Sequence, residues 1–282
     1  MSRLGPTAAK RRLSRRLGEI REQCGYTANQ VCDRLGWGRG KVGRIEANTW
    51  KRIDMSAIRD LMRTYEVPDA VQAELVDLAD RVRARPWWRD YQDVFGDSEY
   101  PGYEEDAVRI RVYLPLLVPT LLATPAYMDT VMSQGVQSPG WRERAREAGV
   151  RRREILDRSD GTAPEFVAII TEAALSYQWG KIEDRREQLN HLVTMGTRPG
   201  VEIRMLRFAD GPHPGMSSLI SIFEFHGGEP SAVFLENDIG LEEVIDRKRS
   251  TQYAEVFERT SEAALSAPAT TAQLTNLIKT LE

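Results

Sequence analysis

The chain has 282 residues, 41% hydrophobic and 29% charged, a globular balance that excludes collagen-like, low-complexity and disordered classes and fits one large domain or two smaller ones. Cys24 and Cys32 are too few for a disulfide framework or an all-cysteine metal site, and this usage suits a reducing cytoplasm. The net charge of −3 conceals a split: residues 1–85 carry 18 Lys and Arg against 11 Asp and Glu (+7), and the remainder carries 21 against 31 (−10). A basic first third ahead of an acidic body fits a nucleic-acid-binding module joined to a part that does not bind nucleic acid; the plainer alternative is a solvated charged face.

Met1 to Arg16 is basic with no apolar segment behind it, so it does not read as a secretory signal. Ala9, Leu13, Leu17, Ile20 and Cys24 repeat at helical spacing, which predicts an amphipathic helix over 8–23, ended by Gly25. Thr27 stands at an N-cap position before a second helix, Ala28 to Leu35, and Gly36 breaks it. A third short helix follows Trp37, with Val42 and Ile45 turned inward. Two further apolar series, Ile58-Leu61-Met62-Tyr65 and Val71-Leu75-Leu78-Val82, bring the expected number of helices before residue 86 to five. Gly38, Gly40 and Gly43 spell G-x-G-x-x-G, but a dinucleotide site needs a buried strand before the motif, and the residues before it are helical in period. Both cysteines are read as small buried residues.

Two short helices separated by a glycine turn, the second bearing Arg39, Lys41 and Arg44, form a helix-turn-helix pattern. The stretch Thr27-Ala-Asn-Gln-Val-Cys-Asp-Arg-Leu-Gly-Trp-Gly-Arg-Gly-Lys-Val-Gly-Arg-Ile-Glu46 resembles the lambda-repressor-like, or xenobiotic-response-element, class of DNA-binding domains. It departs from that class at Ala28, where glutamine is usual, and at the three glycines. Mapped onto the pattern, Arg39, Gly40 and Arg44 face the major groove, with Lys41 nearer the backbone. Arginine pairs bidentately with guanine, so Arg39 and Arg44 are the candidate base readers. Thr27, Arg11, Arg12 and Arg15 are the candidate backbone contacts. Glu46 is read as the structural partner of a neighbouring arginine.

Residues 86–103 hold Trp87, Trp88, Tyr91, Phe95, Tyr100 and Tyr103, too much aromatic surface for a free linker, and are expected to form a packed connector. From Glu104 the spacing of Ala107, Ile110 and Leu114 predicts a helix. The longest apolar run, Val112 to Met128, is broken by Pro115, Pro119 and Pro125 and is shorter than the ~20 residues of a spanning helix. A helix after Pro125 and a charged helix from Trp141 to Arg158 follow. Strands are expected at Phe166–Ile170, Val201–Met205, Ser217–Phe225 and Ala232–Leu235, the last two joined through His226-Gly-Gly-Glu-Pro230. Helices are expected around Ile182 to Val193 and over Leu241 to Ala264. The fold class is α+β, mainly helical: a five-helix DNA-binding domain over 1–85, the connector, and a small sheet flanked by helices over 104–282.

The body resembles the large carboxy-terminal domain that follows a repressor-like helix-turn-helix in many actinobacterial, especially streptomycete, regulators of the Scr/WhiJ-like kind. The landmarks are Trp87-Trp88, Tyr103-Glu-Glu-Asp-Ala107, Val118-Pro-Thr-Leu-Leu-Ala-Thr-Pro-Ala-Tyr127, Arg151-Arg-Arg-Glu-Ile-Leu156, Thr171-Glu-Ala-Ala-Leu175, Gln188-Leu-Asn-His-Leu192, Gly211-Pro-His-Pro-Gly215 and Glu236. The resemblance implies a regulatory domain without assigned chemistry, in some members paired with a small protein encoded beside it.

No catalytic motif or metal-ligand spacing is present in the sequence, so no catalytic residue, metal or cofactor is assigned. His213, with Glu172 or Glu236 as partner, is the one position with a catalytic look; His213, Glu172, Glu236, Trp87 and Trp88 are carried as candidate ligand or partner residues. The expected function is a cytoplasmic, sequence-specific DNA-binding regulator. It binds a double-stranded operator as a homodimer, responds to a ligand or small protein, and has no membrane role. An antitoxin-like protein neutralising a small partner is the alternative, and an enzyme fused to the DNA-binding domain comes third.

Overall fold

A computed structural model describes residues 4–52, 54–237 and 240–281, and the chain divides into two units, Met1–Arg89 and Asp90–Glu282. The first holds five helices: α1 (Pro6–Gln23), α2 (Ala28–Arg34), α3 (Lys41–Glu46), α4 (Met55–Thr64) and α5 (Asp69–Val82). Local chemistry sets their ends. Pro6 opens α1, and Thr27 and Gln30 form a reciprocal capping box on α2. The Asp54 carboxylate caps α4 by accepting from the Ser56 and Ala57 amides. Gly25, Gly36 and Gly40 take positive φ at the breaks (73°, 63° and 80°), which only glycine adopts without strain. The apolar stripes named by periodicity converge on one core, with Leu13 and Leu17 of α1, Val31, Val42, Leu61 and Leu75 essentially closed to solvent. Cys32 is buried as expected, but Cys24 is exposed, because it follows the last turn of α1; its thiol lies 3.6 Å from the Tyr65 carbonyl.

The second unit begins with α6 (Gln92–Phe95) and α7 (Tyr100–Asp106), then β1 (Arg109–Leu114), α8 (Pro125–Ser133), α9 (Pro139–Arg153), β2 (Glu165–Thr171), α10 (Glu172–Ser176), α11 (Ile182–Met195) and β3 (Val201–Leu206). After β3 come β4 (Ile220–Glu224), β5 (Ala232–Asn237), β6 (Gly240–Glu243), α12 (Arg247–Ala263) and α13 (Ala267–Thr280). The six strands form one mixed sheet in the order β3-β2-β1-β4-β5-β6. The first three are parallel, and β4, β5 and β6 join antiparallel. The fold is α+β, with a sheet flanked by helices as expected.

Register sorts the side chains into two faces. Tyr113, Val167, Ile169, Ile220, Ile222 and Val233 share one face and pack against Phe257, Tyr253 and Ala254 of α12. Ile110, Val112, Leu114, Phe166, Ser221, Phe223, Phe234 and Glu236 share the other. Here Tyr100 and Tyr103 of α7 stack edge-on against Phe234, with ring centres 5.2 and 5.0 Å apart. Residues 90–103 are therefore part of the second unit's packing. Tyr91 lies under the Arg144 guanidinium, the Trp141 indole donates to the Asp93 carbonyl, and Arg144 pairs with the Asp93 carboxylate.

Two expected elements differ, and one helix is additional. The stretch containing Ile110 and Leu114 is a strand, β1, because it lies in the sheet interior and is covered on both sides; such a strand is apolar almost throughout and mimics a helical spacing. Its one basic residue inside, Arg111, is accommodated by Glu224 and Glu258. Gly240–Glu243 forms the edge strand β6 before α12 begins. The helix α13, capped by Ser266 with Pro268 in its first turn, was not anticipated.

Candidate functional site

In the first unit α3 is fixed from beneath and from behind. Val42 and Ile45 are buried in the core. Arg21 of α1 grips Glu46 through two hydrogen bonds, Nε–Oε1 2.6 Å and Nη2–Oε2 3.0 Å, and its remaining amino group donates to the Tyr26 carbonyl at 2.6 Å. The expected structural role of Glu46 holds. One arginine thus joins α1, the entry to α2 and the end of α3; the Glu46 hydrogen bonds outweigh desolvation and hold the guanidinium pKa above its ordinary value. The turn between α2 and α3 closes with the Trp37 amide on the Cys32 carbonyl at 2.8 Å, and the Lys41 ammonium sits 3.9 Å from the centre of the Trp37 ring.

This scaffold leaves Arg39 and Arg44 exposed, and among the described residues neither guanidinium has a hydrogen-bond or ion-pair partner. Gly40 is the left-handed N-cap of α3, and Thr27 caps α2. Lys41 and Arg44 also line a groove of about 300 Å³ with Thr49, Lys51, Arg52 and Asp54. Lys51 and Arg52 were missed by the sequence reading; a basic pair directly after the apolar Trp50, in an otherwise polar loop, was the available signal. The α1 arginines are placed differently from Arg39 and Arg44. Arg12 pairs with Glu74 of α5 at 3.1 Å and Arg15 pairs with Glu19, while Arg11 is half-buried with a partner of its own. Burial alone would raise the Glu19 carboxyl, but hydrogen bonds from Arg16 and Arg15 hold it below its ordinary value.

The second unit contains a cleft of about 830 Å³ between the Phe166-bearing face of the sheet and the covering segments α7, α8 and α9. Its polar groups form one cluster. Arg152 of α9 holds the buried Glu104 carboxylate through Nε–Oε2 2.7 Å and Nη2–Oε1 3.0 Å, and the Tyr100 hydroxyl donates to Ser221 Oγ at 3.0 Å. Desolvation opposes the Arg152 charge, but Glu104 outweighs it and keeps the guanidinium protonated. Glu236, a candidate from the sequence, borders the same cleft and stays exposed to solvent; partial desolvation raises its carboxyl and Arg152 only partly offsets this.

His213 lies elsewhere. With Tyr113, Leu116, Phe208 and Met216 it borders a shallow cleft of about 270 Å³ beyond the carboxyl ends of the parallel strands. Its ring meets Tyr113 edge-on at 5.7 Å, and neither His213 Nδ1 nor the Tyr113 hydroxyl has a partner among the described residues. Burial lowers the His213 pKa and pushes the Tyr113 phenol up to about 12. The pairing of His213 with Glu172 or Glu236 does not form. Glu172 accepts the Phe208 amide at 2.8 Å, and Glu236 projects from the opposite face of the sheet to Tyr113. Trp88 is buried, and the half-buried Trp87 meets it edge-on at 6.1 Å.

Residues 98–276 match a domain of unknown function (DUF5753), and residues 12–75 match a helix-turn-helix domain. No curated protein and no solved structure matches the chain. Among the described residues no helix is long and apolar enough to cross a membrane.

Proposed function

Since the chain belongs to the DUF5753 family and carries a helix-turn-helix domain ahead of that domain, we propose that it is a sequence-specific transcriptional regulator whose DNA affinity is modulated through the second unit by a ligand or small protein. A helix-turn-helix domain is a DNA-binding module, and the observation that carries the finer reading is the state of α3. Its inner residues are locked into the core, while Arg44 on it and Arg39 in the turn just before it are exposed and have no partner among the described residues. Guanidiniums held on a rigid element without a competing carboxylate suit bidentate contact with guanine edges. Lys41, Lys51 and Arg52 supply charge for the flanking phosphates, with Thr27 and Gly40 at the two helix entries and Arg11, Arg12 and Arg15 as outer contacts. Binding as a homodimer to paired half-sites, a cytoplasmic location, an actinobacterial source and a Scr/WhiJ-like affiliation belong to the same reading, which assigns no catalysis and no cofactor.

Selection of bound duplexes from a randomised pool, followed by quantitative shift assays, tests it. Affinity is expected to fall steeply with salt as condensed counterions are released. Arg39→Ala should cost about 1–3 kcal/mol and relax preference at one base pair. Unchanged affinity and unchanged preference in that variant would refute the groove assignment.

The antitoxin-like alternative is favoured by one observation: Leu116, Phe208 and Met216 are largely exposed around the His213 cleft, an apolar cluster of the kind that protein partners cover. In that reading a small protein docks there and the DNA-binding unit serves autoregulation.

A further inference from the structure

The cleft beneath α7, α8 and α9 has the size of a small-molecule site. Its walls are apolar: Val112, Leu114 and Phe166 from the sheet, and Leu121, Met128 and Ala145 from the cover. Four charged side chains border it, and three are accounted for. Asp93 is paired with Arg144, and Glu104 with Arg152. The Glu236 carboxylate has no hydrogen-bond or ion-pair partner among the described residues, and the sheet residues Val112, Leu114 and Phe166 that line the cleft with it are apolar. Arg152, Glu104 and Glu236 together leave one uncompensated negative charge beside a wide apolar chamber.

We propose that this cleft binds a small amphipathic cation: a molecule with an apolar body and a protonated amine, the amine on the Glu236 carboxylate and the body against the sheet and α8–α9. The other ligand classes meet penalties. An anion finds the Arg152 charge already compensated by Glu104, whose side chain is only 3% exposed, and meets the negative Glu236 besides. A neutral apolar ligand strips water from Glu236 and gives nothing back. A cation meets the carboxylate directly, and Ser221, which accepts from Tyr100, retains a hydroxyl proton to offer a second polar atom on the ligand. As a binding site the cleft stands apart from the DNA-binding reading; as the effector site of a regulator it rests on that reading.

Calorimetric titration of the intact chain with phenylbutylamine, phenylbutanol and phenylbutyrate, which share one skeleton, tests the site. The amine is expected to bind more tightly than the alcohol, and the carboxylate least. Glu236→Gln should weaken the amine at least roughly ten-fold, the size of a lost charge-assisted hydrogen bond, and leave the alcohol unchanged. Ala145→Leu, which fills the chamber from α9, should abolish binding of all three and serves as the check if Glu236→Gln does not fold. Failure of the amine to bind, equal binding of the three compounds, tighter binding of the carboxylate, or an amine affinity indifferent to Glu236→Gln each overturns the proposal. Shift assays on the selected duplex with and without the amine separate the two claims. Amine binding with unchanged DNA affinity removes the effector role and keeps the site, whereas a chain that binds amine but no duplex removes the regulator reading alone.

Discussion

Gly43 is the only one of the three motif glycines inside α3; Gly38 and Gly40 precede it. Spacing alone does not locate a helix end that depends on one residue's backbone angle. A Cβ at Gly43 meets no atom within 4 Å, whereas Gly40 has φ 80° and faces Arg44 Nη1 at 3.3 Å. Gly43→Ala is expected to stabilise the first unit by about 0.5–1 kcal/mol, and Gly40→Ala to destabilise it by about 1 kcal/mol or more; urea midpoints on the intact chain read both. Two half-buried histidines give a second expectation at this scale. Burial lowers the pKa of His191, helped by Arg153, and of His213. Above their ordinary pKa these rings are neutral in both states; as the pH falls from about 7 towards 5, the unfolded chain takes up protons first and stability is lost. Thermal melts across that window should show the loss, and His191→Gln, which cannot titrate, should flatten it.

At the scale of elements, the orientation of α3 depends on Arg21. Glu46→Gln keeps the shape but weakens a pair whose side chains are 13% and 15% exposed, and an expected cost of about 1.5–3 kcal/mol follows from losing charge-assisted hydrogen bonds. Arg21→Ala also releases the Tyr26 carbonyl, so its denaturation midpoint should fall further than that of Glu46→Gln; equal midpoints would show that the carbonyl contact contributes nothing. This pair was half legible in advance, since Glu46 follows the inward Ile45 and needs a cation, but only the fold brings Arg21 to it. The helices of the first unit were legible because each is amphipathic over one shared core. β1 was not: Ile110, Val112, Tyr113 and Leu114 are all buried, so the strand has no alternation to read, and the buried Arg111 between them depends on Glu224 and Glu258, both far along the chain. β6 is too short to show any period. The cleft was the least legible feature, because its polar cluster gathers Tyr100, Glu104, Arg152, Ser221 and Glu236 from four elements; Glu236 alone was singled out.

At the scale of the whole molecule, each unit has its own core, and the charge divides near the same point as the contacts. The first unit's core cluster is built from α1–α5 and the turn between α4 and α5, so a fragment ending at Arg89 is expected to fold and to retain salt-sensitive duplex binding. Regulation through the second unit demands more than connection. A ligand or small protein changes DNA affinity only by binding the DNA-bound and free states unequally, and couplings of about 1–3 kcal/mol, roughly 5- to 150-fold, are usual. Linkage makes the effect reciprocal: duplex must alter effector affinity by the same factor by which effector alters duplex affinity. Titrating the intact chain with effector in the presence and absence of saturating selected duplex measures that factor directly. The fragment ending at Arg89 should show the duplex affinity of the intact chain in its more permissive state and no response to effector. Unequal factors in the two directions would mean that the two titrations report different species, and a fragment that still responds would place the effector on the DNA-binding unit itself.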